Sequence, residues 1–196
     1  MEENAVNPEQ TLKKEKKSLD PRIAFALMVI MIICSLLIGA NKAWKKNREG
    51  VDTSFAVWQE NVQQRVETAY NLLTVAGRYV SADDAQYAAI QSDLNEMQSS
   101  ADINRQAAAG ERFIADAKLL LQTLSGSAAV QSDARDKMYV ELMLPQALEQ
   151  CGNSAALNAY NTAAESVNSG LRSVSGLLAR LTGVARAELI ASANAE

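Results

Sequence analysis

The chain has 196 residues, with 19 basic against 23 acidic side chains for a net charge of −4, and no histidine at all. Without histidine the commonest general base and the commonest metal ligand are both missing; this excludes a ferritin-type di-iron site with its Glu-x-x-His pairs, and two separated cysteines cannot build a zinc cluster. From Val51 to Glu196 there are 17 acidic and 10 basic residues, a net of −7, which argues against nucleic acid or an anionic lipid surface as the main partner of that part.

Residues 1–22 read as a polar tail with Lys13, Lys14, Lys16, Lys17 and Arg22. Ile23 to Ala40 then reads IAFALMVIMIICSLLIGA, eighteen residues without a charge. At ~1.5 Å rise per residue a helix of that length covers most of a ~30 Å hydrocarbon core. Trp44 sits at the flank beside Lys42, Lys45 and Lys46, where interfacial residues belong, so residues 23–44 are assigned as a transmembrane anchor with lipid contact through Ile23–Ala40. The competing reading is a cleavable signal peptide with the lysines as n-region. Against it stand the long apolar run, the polar tail before it and the weak Ile38/Ala40 cleavage pair; Met31, Ile32 and Ile33 before Cys34 do not make a lipoprotein site. Five basic residues before the span against four after it (Lys42, Lys45, Lys46, Arg48) leave orientation nearly balanced, with a lean towards the N-terminus inside and the domain outside.

Residues 45–190 are predicted as a helical domain, with a frayed tail at 191–196. Only one proline, Pro145, falls after Val51, and Ala, Gln, Glu, Leu and Asn dominate. Phe55, Trp58, Val62, Val66, Ala69, Leu73, Ala76 and Val80 recur at steps of three and four, with Gln59, Glu60, Gln63, Gln64 and Glu67 opposite. Ser81 is the expected N-cap of the next helix, with Asp83 and Asp84 in its first turn. A second stripe runs Tyr87, Ile90, Leu94, Met97, Ala101, passes a soft stretch at Gly110, resumes with Phe113, Ala117, Leu120 and Leu124, and stops at Ser125-Gly126-Ser127. Asp133 to Gln150 is helical in composition, with a kink expected at Pro145 and a break at Gly152-Asn153. The third stripe is Leu157, Tyr160, Ala164, Val167, Leu171 and Val174. A short helix from Gly176 to Leu189 closes the pattern. One-faced stripes must pack on one another, and short links force antiparallel neighbours. The expected fold is therefore all-α: a single N-terminal transmembrane helix followed by an antiparallel up-and-down bundle of three to four long helices. Its alanine-rich core leaves room for a homo-oligomer to add burial.

No phosphate loop or nucleophile elbow is present. Asp83-Asp84 reads as a helix start before it reads as a cation site; Trp58, Met97 and Tyr160 lie on apolar stripes and read as core; Cys151 has no histidine to activate it. Cys34 lies in the span and Cys151 beyond it, so no intrachain disulfide is expected. The chain is expected to be no enzyme and to need no cofactor.

Gln64-Arg65-Val66-Glu67, Asn71-Leu72-Leu73 and Tyr79, with Trp58 ahead of them, resemble the first block of LemA proteins. Tyr160-Asn161 followed by Asn168 is similar to the family's YN…YN spacing, and Leu177 to Val184, with Ala179 and Gly183, resembles its closing block. Tyr70, Leu157 and Val167 depart from the family's usual proline, arginine and tyrosine, and the proline after the second YN pair is missing. The resemblance implies a divergent bacterial, single-pass, membrane-tethered helical bundle without assigned catalytic residues. Asn71, Asn161 and Asn168 are poor helix formers whose amides need partners, and are expected to hydrogen-bond between helices and fix their register. The function this suggests is an envelope scaffold or adaptor that contacts protein partners along an exposed helix face. The alternatives are a sensory or ligand-binding bundle that signals through a partner, and a secreted bundle released by signal cleavage.

Overall fold

The computed structural model describes residues 20–191; the polar tail up to Leu19 and the expected fraying at 192–196 lie outside the described residues. Among those described the chain is all-helical and has no strand. Helix α1, Pro21–Ala76, is 56 residues long. It starts where chemistry favours a start: the Asp20 carboxylate accepts the Arg22 N–H at 2.9 Å, and Pro21 brings a helical φ and no N–H to orphan. The apolar run makes up its first third, is long and apolar enough to cross a membrane, and has none of its length buried by protein. No break marks the expected boundary after Trp44; the apolar run and the core stripe share one helix.

Beyond Val51 the expected stripe of α1 faces inward. Trp58, Val62, Val66, Ala69, Leu73 and Ala76 are buried, while Gln59, Glu60, Gln63, Gln64 and Glu67 are exposed. Helix α2, Ala85–Ser99, is capped by Asp84, whose carboxylate accepts the N–H groups of Gln86 and Tyr87 at 2.9 and 3.1 Å. The cap is thus Asp84 and not Ser81, whose hydroxyl only accepts the Asp83 N–H inside the preceding turn. The second stripe is two helices. It breaks at Ser100–Asp102, where Asp102 caps α3, Ile103–Ser125, by accepting the Asn104 N–H at 2.8 Å. Gly110, the soft point in the sequence, lies buried in the middle of α3. Helices α2 and α3 pair through Ile90, Leu94, Met97, Phe113, Ala117 and Leu120. Arg112 bridges them to Asp93 at 2.9 Å and to Glu96; burial pushes the Asp93 carboxyl above its ordinary pKa.

Gly126 ends α3 as expected, and α4 (Ala128–Ser132) and α5 (Ala134–Met138) follow. Between α5 and α6 (Leu144–Cys151) the backbone widens into a π turn, Tyr139–Met143. This is how Pro145 is absorbed. Its ring cannot donate to, and crowds, the carbonyl one turn back, and a widened turn relieves that crowding. Helix α6 stops at Gly152, and α7, Ala155–Gly170, packs on α1, with Tyr160 against Phe55 and Gly170 closing on Trp44. Leu157, Tyr160, Ala164, Val167 and Leu171 of the third stripe are buried, but Val174 is 78% exposed.

The end of the chain departs from expectation. Helix α8 covers only Val174–Leu181, and residues 183–191 are not helical. The reason is Gly183, at φ +93°. Its N–H bonds to the Arg180 carbonyl and the Val184 N–H bonds to the Ala179 carbonyl, both at 3.1 Å. These are the paired bonds of a Schellman stop, which needs a left-handed residue where glycine has no Cβ penalty.

Candidate functional site: an amide clamp on an extended strap

Asn161 and Asn168 are seven residues apart on α7, two turns of helix, so their side chains share one face at a spacing of ~10.5 Å. Residues 183–191 return along that face as a strap. Asn168 donates its amide N–H to the Ala187 carbonyl at 2.8 Å and accepts the Ala187 N–H at 2.9 Å. Asn161 does the same to Ile190, at 2.8 and 3.0 Å. Three residues of extended chain span ~9–10 Å, which matches the spacing of the two amides. Each side chain thus imitates one rung of a β-ladder and satisfies a backbone that has left helix geometry without joining a sheet.

Further groups complete the strap. The Tyr160 hydroxyl donates to the Glu188 carbonyl at 2.6 Å, and burial pushes that phenol above its ordinary pKa. Asn104 of α3 accepts the Ala191 N–H at 2.8 Å, Arg48 donates to the Ala185 carbonyl at 2.6 Å, and Asn41 donates to the Thr182 carbonyl at 3.3 Å. Val184, Ala187 and Ile190 point inward with 7%, 8% and 2% exposure, a three-residue repeat that puts one strap face into the core. Phe55 supports the clamp from below, with ring centroids 5.4 Å from both Trp58 and Tyr160. The clamp therefore reads backbone through neutral amides and selects side chains only at the three buried positions.

The resemblance to the LemA blocks picked out Tyr160, Asn161 and Asn168, and the structure brings them together. Their amides bind the backbone of a non-helical segment, however, rather than bridging two helices, because Gly183 has already ended α8. Asn71 is exposed on α1 and shows no side-chain bond to another helix; its neighbour Leu72 is fully buried. Ala179 and Gly183 belong to the helix stop. Tyr70, where the family has proline, is 49% exposed, leaves α1 unbroken and donates its hydroxyl to Gln98 at 3.1 Å. Leu157 and Val167 are core residues.

Arg65 and Tyr79 lie in two other polar junctions. Arg65 is buried; its Nε donates to the Cys151 carbonyl at 2.9 Å and its guanidinium pairs with Glu111 at 3.2 Å. A Cβ on Gly110 would lie 2.6 Å from that guanidinium, so the missing side chain is what lets Arg65 cross α3. Asn61 donates to the same Cys151 carbonyl at 3.1 Å, which holds the end of α6 against α1. The Cys151 thiol is enclosed, and burial raises its pKa.

At the far end of α1, Asp136 of α5 is 2% exposed. It accepts two bonds from Arg78, both at 2.8 Å, and one from the Tyr79 hydroxyl, also at 2.8 Å. The Tyr79 bond and the Arg78 charge hold the Asp136 carboxyl below its ordinary pKa, while the bond to the Asp136 carboxylate, helped by burial, pushes Tyr79 up to about 12. Sequence reasoning missed Asp136, Arg78 and Asn104, whose partners lie tens of residues away. The one local signal was the Arg78-Tyr79 pair, which puts a guanidinium and a phenol together just past the end of α1. No protein-family model, no curated protein and no solved structure matches this chain.

Proposed function

We propose that the chain is a membrane-tethered helical scaffold or adaptor of the bacterial envelope, LemA-like, whose helical domain is an antiparallel up-and-down bundle and which works by contacting protein partners. The observation that carries this reading is the continuity of α1: a single 56-residue helix holds both the apolar run and the core stripe. A helix of that length extends ~84 Å. An anchor joined to its domain without a linker holds that domain at a defined height and angle, which suits a protein that presents a surface and does not suit one that must reach for a mobile substrate.

The surface to test first lies near the end of α1 farthest from the apolar run, where Met138, Leu142 and Met143 are 48%, 60% and 46% exposed around the π turn. Flexible thioethers on an open apolar face suit adaptable protein contacts. A photo-crosslinker at Leu142 in the full chain, in native membranes, should give a reproducible protein adduct or a homo-oligomer. Recovery of bulk membrane proteins alone, equal to that from a crosslinker at exposed Gln64, overturns the reading. Orientation needs a probe other than the enclosed Cys151: a Ser132→Cys thiol on the exposed side of α4, labelled by an impermeant maleimide in intact cells, places the domain outside, and labelling only after permeabilisation places it inside.

A further inference from the structure

The eight residues of α8 have two faces. Gly176 and Ala179 pack inward, and a Cβ on Gly176 would strike the backbone of Gly170 and Leu171. Val174, Leu177 and Leu181, at steps of three and four, face outward with 78%, 50% and 80% exposure. Apart from the apolar run itself, Val174 and Leu181 are the most exposed large apolar side chains among the described residues. This face has no protein cover.

Its place in the fold says what covers it. Gly170, shortly before α8, closes on Trp44, and the Thr182 carbonyl just after α8 takes the bond from Asn41. Trp44 and Asn41 are three residues apart on α1, so α8 packs on α1 at their level. Its level is the end of the apolar run, since Asn41 follows Ala40 directly, and Leu37 and Ala40 are partly covered where the rest of the run is open. The charge is segregated to match. The domain is acidic as a whole, yet the stretch from Ser166 to Ala187 carries Arg172, Arg180 and Arg186 and no acidic residue, and Lys42, Lys45 and Lys46 lie alongside on α1.

Resting on the reading that Ile23–Ala40 crosses a bilayer, we propose that α8 is an interfacial helix. Its Val174–Leu177–Leu181 face lies at the acyl boundary of the leaflet where α1 emerges, and Arg172, Arg180 and the α1 lysines meet anionic lipid headgroups. An apolar face lying in the interface plane with basic residues at headgroup level is the physical form of such a contact. Together with α1 it gives the domain two points of attachment, which fixes its rotation about the anchor as well as its height.

The test uses the full chain, with Cys34→Ser and Cys151→Ser, in vesicles of phosphatidylcholine with or without phosphatidylglycerol. An environment-sensitive fluorophore is attached to single cysteines at 174, 177 or 181, with Ile30→Cys as the span control and Leu142→Cys as the distal control; brominated acyl chains serve as quencher. Bromolipid should remove most of the emission from the three α8 positions and from position 30, and leave position 142 unchanged. Each of Arg172→Gln and Arg180→Gln should lower the docked fraction on anionic vesicles about fivefold, with little change on neutral ones. Quenching at position 30 without quenching on α8 overturns the interfacial helix and leaves the anchor standing. No quenching at position 30 overturns the anchor itself. Shielding of α8 without bromolipid quenching, together with crosslinked dimers through the same cysteines, assigns the face to a second copy and overturns the lipid contact.

Discussion

Asp136 near the far end of α1 and the Asn161–Asn168 pair on α7 each pin one segment of the chain onto another, one through charge and the other through neutral amides. The carboxylate gathers Arg78 and Tyr79 around a single buried point, and its grip depends on protonation. The amides touch two residues of the strap, each through one donor and one acceptor, and have nothing to titrate. A charge cluster fixes a point in space, whereas a pair of amides at helical spacing fixes the register of an extended chain. The two junctions should therefore fail under different conditions.

The most damaging way to break the comparison is to remove both amides. Asn161→Ala with Asn168→Ala leaves two N–H and two C=O groups of the strap without partners, at about 1–3 kcal/mol each, up to the point where the strap lets go. Amide hydrogen exchange at Ala187 and Ile190 should then rise to the level of an open segment while α2 and α3 stay protected. Asn168→Asp sharpens the contrast, because an ionised carboxylate can accept the Ala187 N–H but must face the Ala187 carbonyl without a donor. The strap should loosen at neutral pH and tighten again in acid as that carboxyl regains a proton, which makes the neutral clamp pH-dependent.

At the charge cluster the signs run differently. The Asp136 pKa lies below its unfolded value, so its stabilisation is present above the ordinary carboxylate pKa and is lost as pH falls through the folded value. Tyr79 is raised to about 12, so its contribution is full below its ordinary pKa of 10.0 and is lost as pH climbs from there towards 12. Denaturation of wild type against pH should show both limbs. Asp136→Asn should flatten the acid limb and Tyr79→Phe the alkaline one, and neither change should alter exchange at Ala187.

Two glycines carry smaller effects. Gly110→Ala puts a Cβ against the Arg65 guanidinium, whose tip must move off Glu111; about 1–2 kcal/mol of stability should be lost, read from the denaturation midpoint. Gly183→Ala forces a Cβ into a left-handed backbone at about 1–2 kcal/mol, and its exchange signature should appear in the strap and not at Asp136. The smallest effect is expected at Asn71. It is exposed in a helix interior, where Ala is the better helix former, so Asn71→Ala should change stability by less than about 0.5 kcal/mol.

What could be read from the sequence was local. The apolar run, the stripe Trp58–Val62–Val66–Ala69–Leu73, and the stops at Gly126 and Gly152 rest on residue spacing and on glycine, and each holds in the structure. The second stripe reads in the sequence as one pattern with a soft point at Gly110, whereas the chain breaks at Ser100–Asp102 and runs unbroken through Gly110. Where it breaks depends on Asp102 finding free N–H groups and on Arg65 filling the gap over Gly110 from another helix.

The final segment is the clearest case. From Gly176 to Leu189 the composition suits a helix, and by itself the sequence determined only that this segment was short, partly apolar and interrupted by Gly183. The tertiary structure decided that residues 183–191 would be extended, because Asn161, Asn168, Tyr160 and Asn104 lie 19 to 87 positions away and supply the backbone partners a helix would otherwise have provided. Helix periodicity and caps are set by neighbours a few residues apart, and so they are written in the chain. The partner of an asparagine amide is chosen only when distant helices pack, and no local spacing records it.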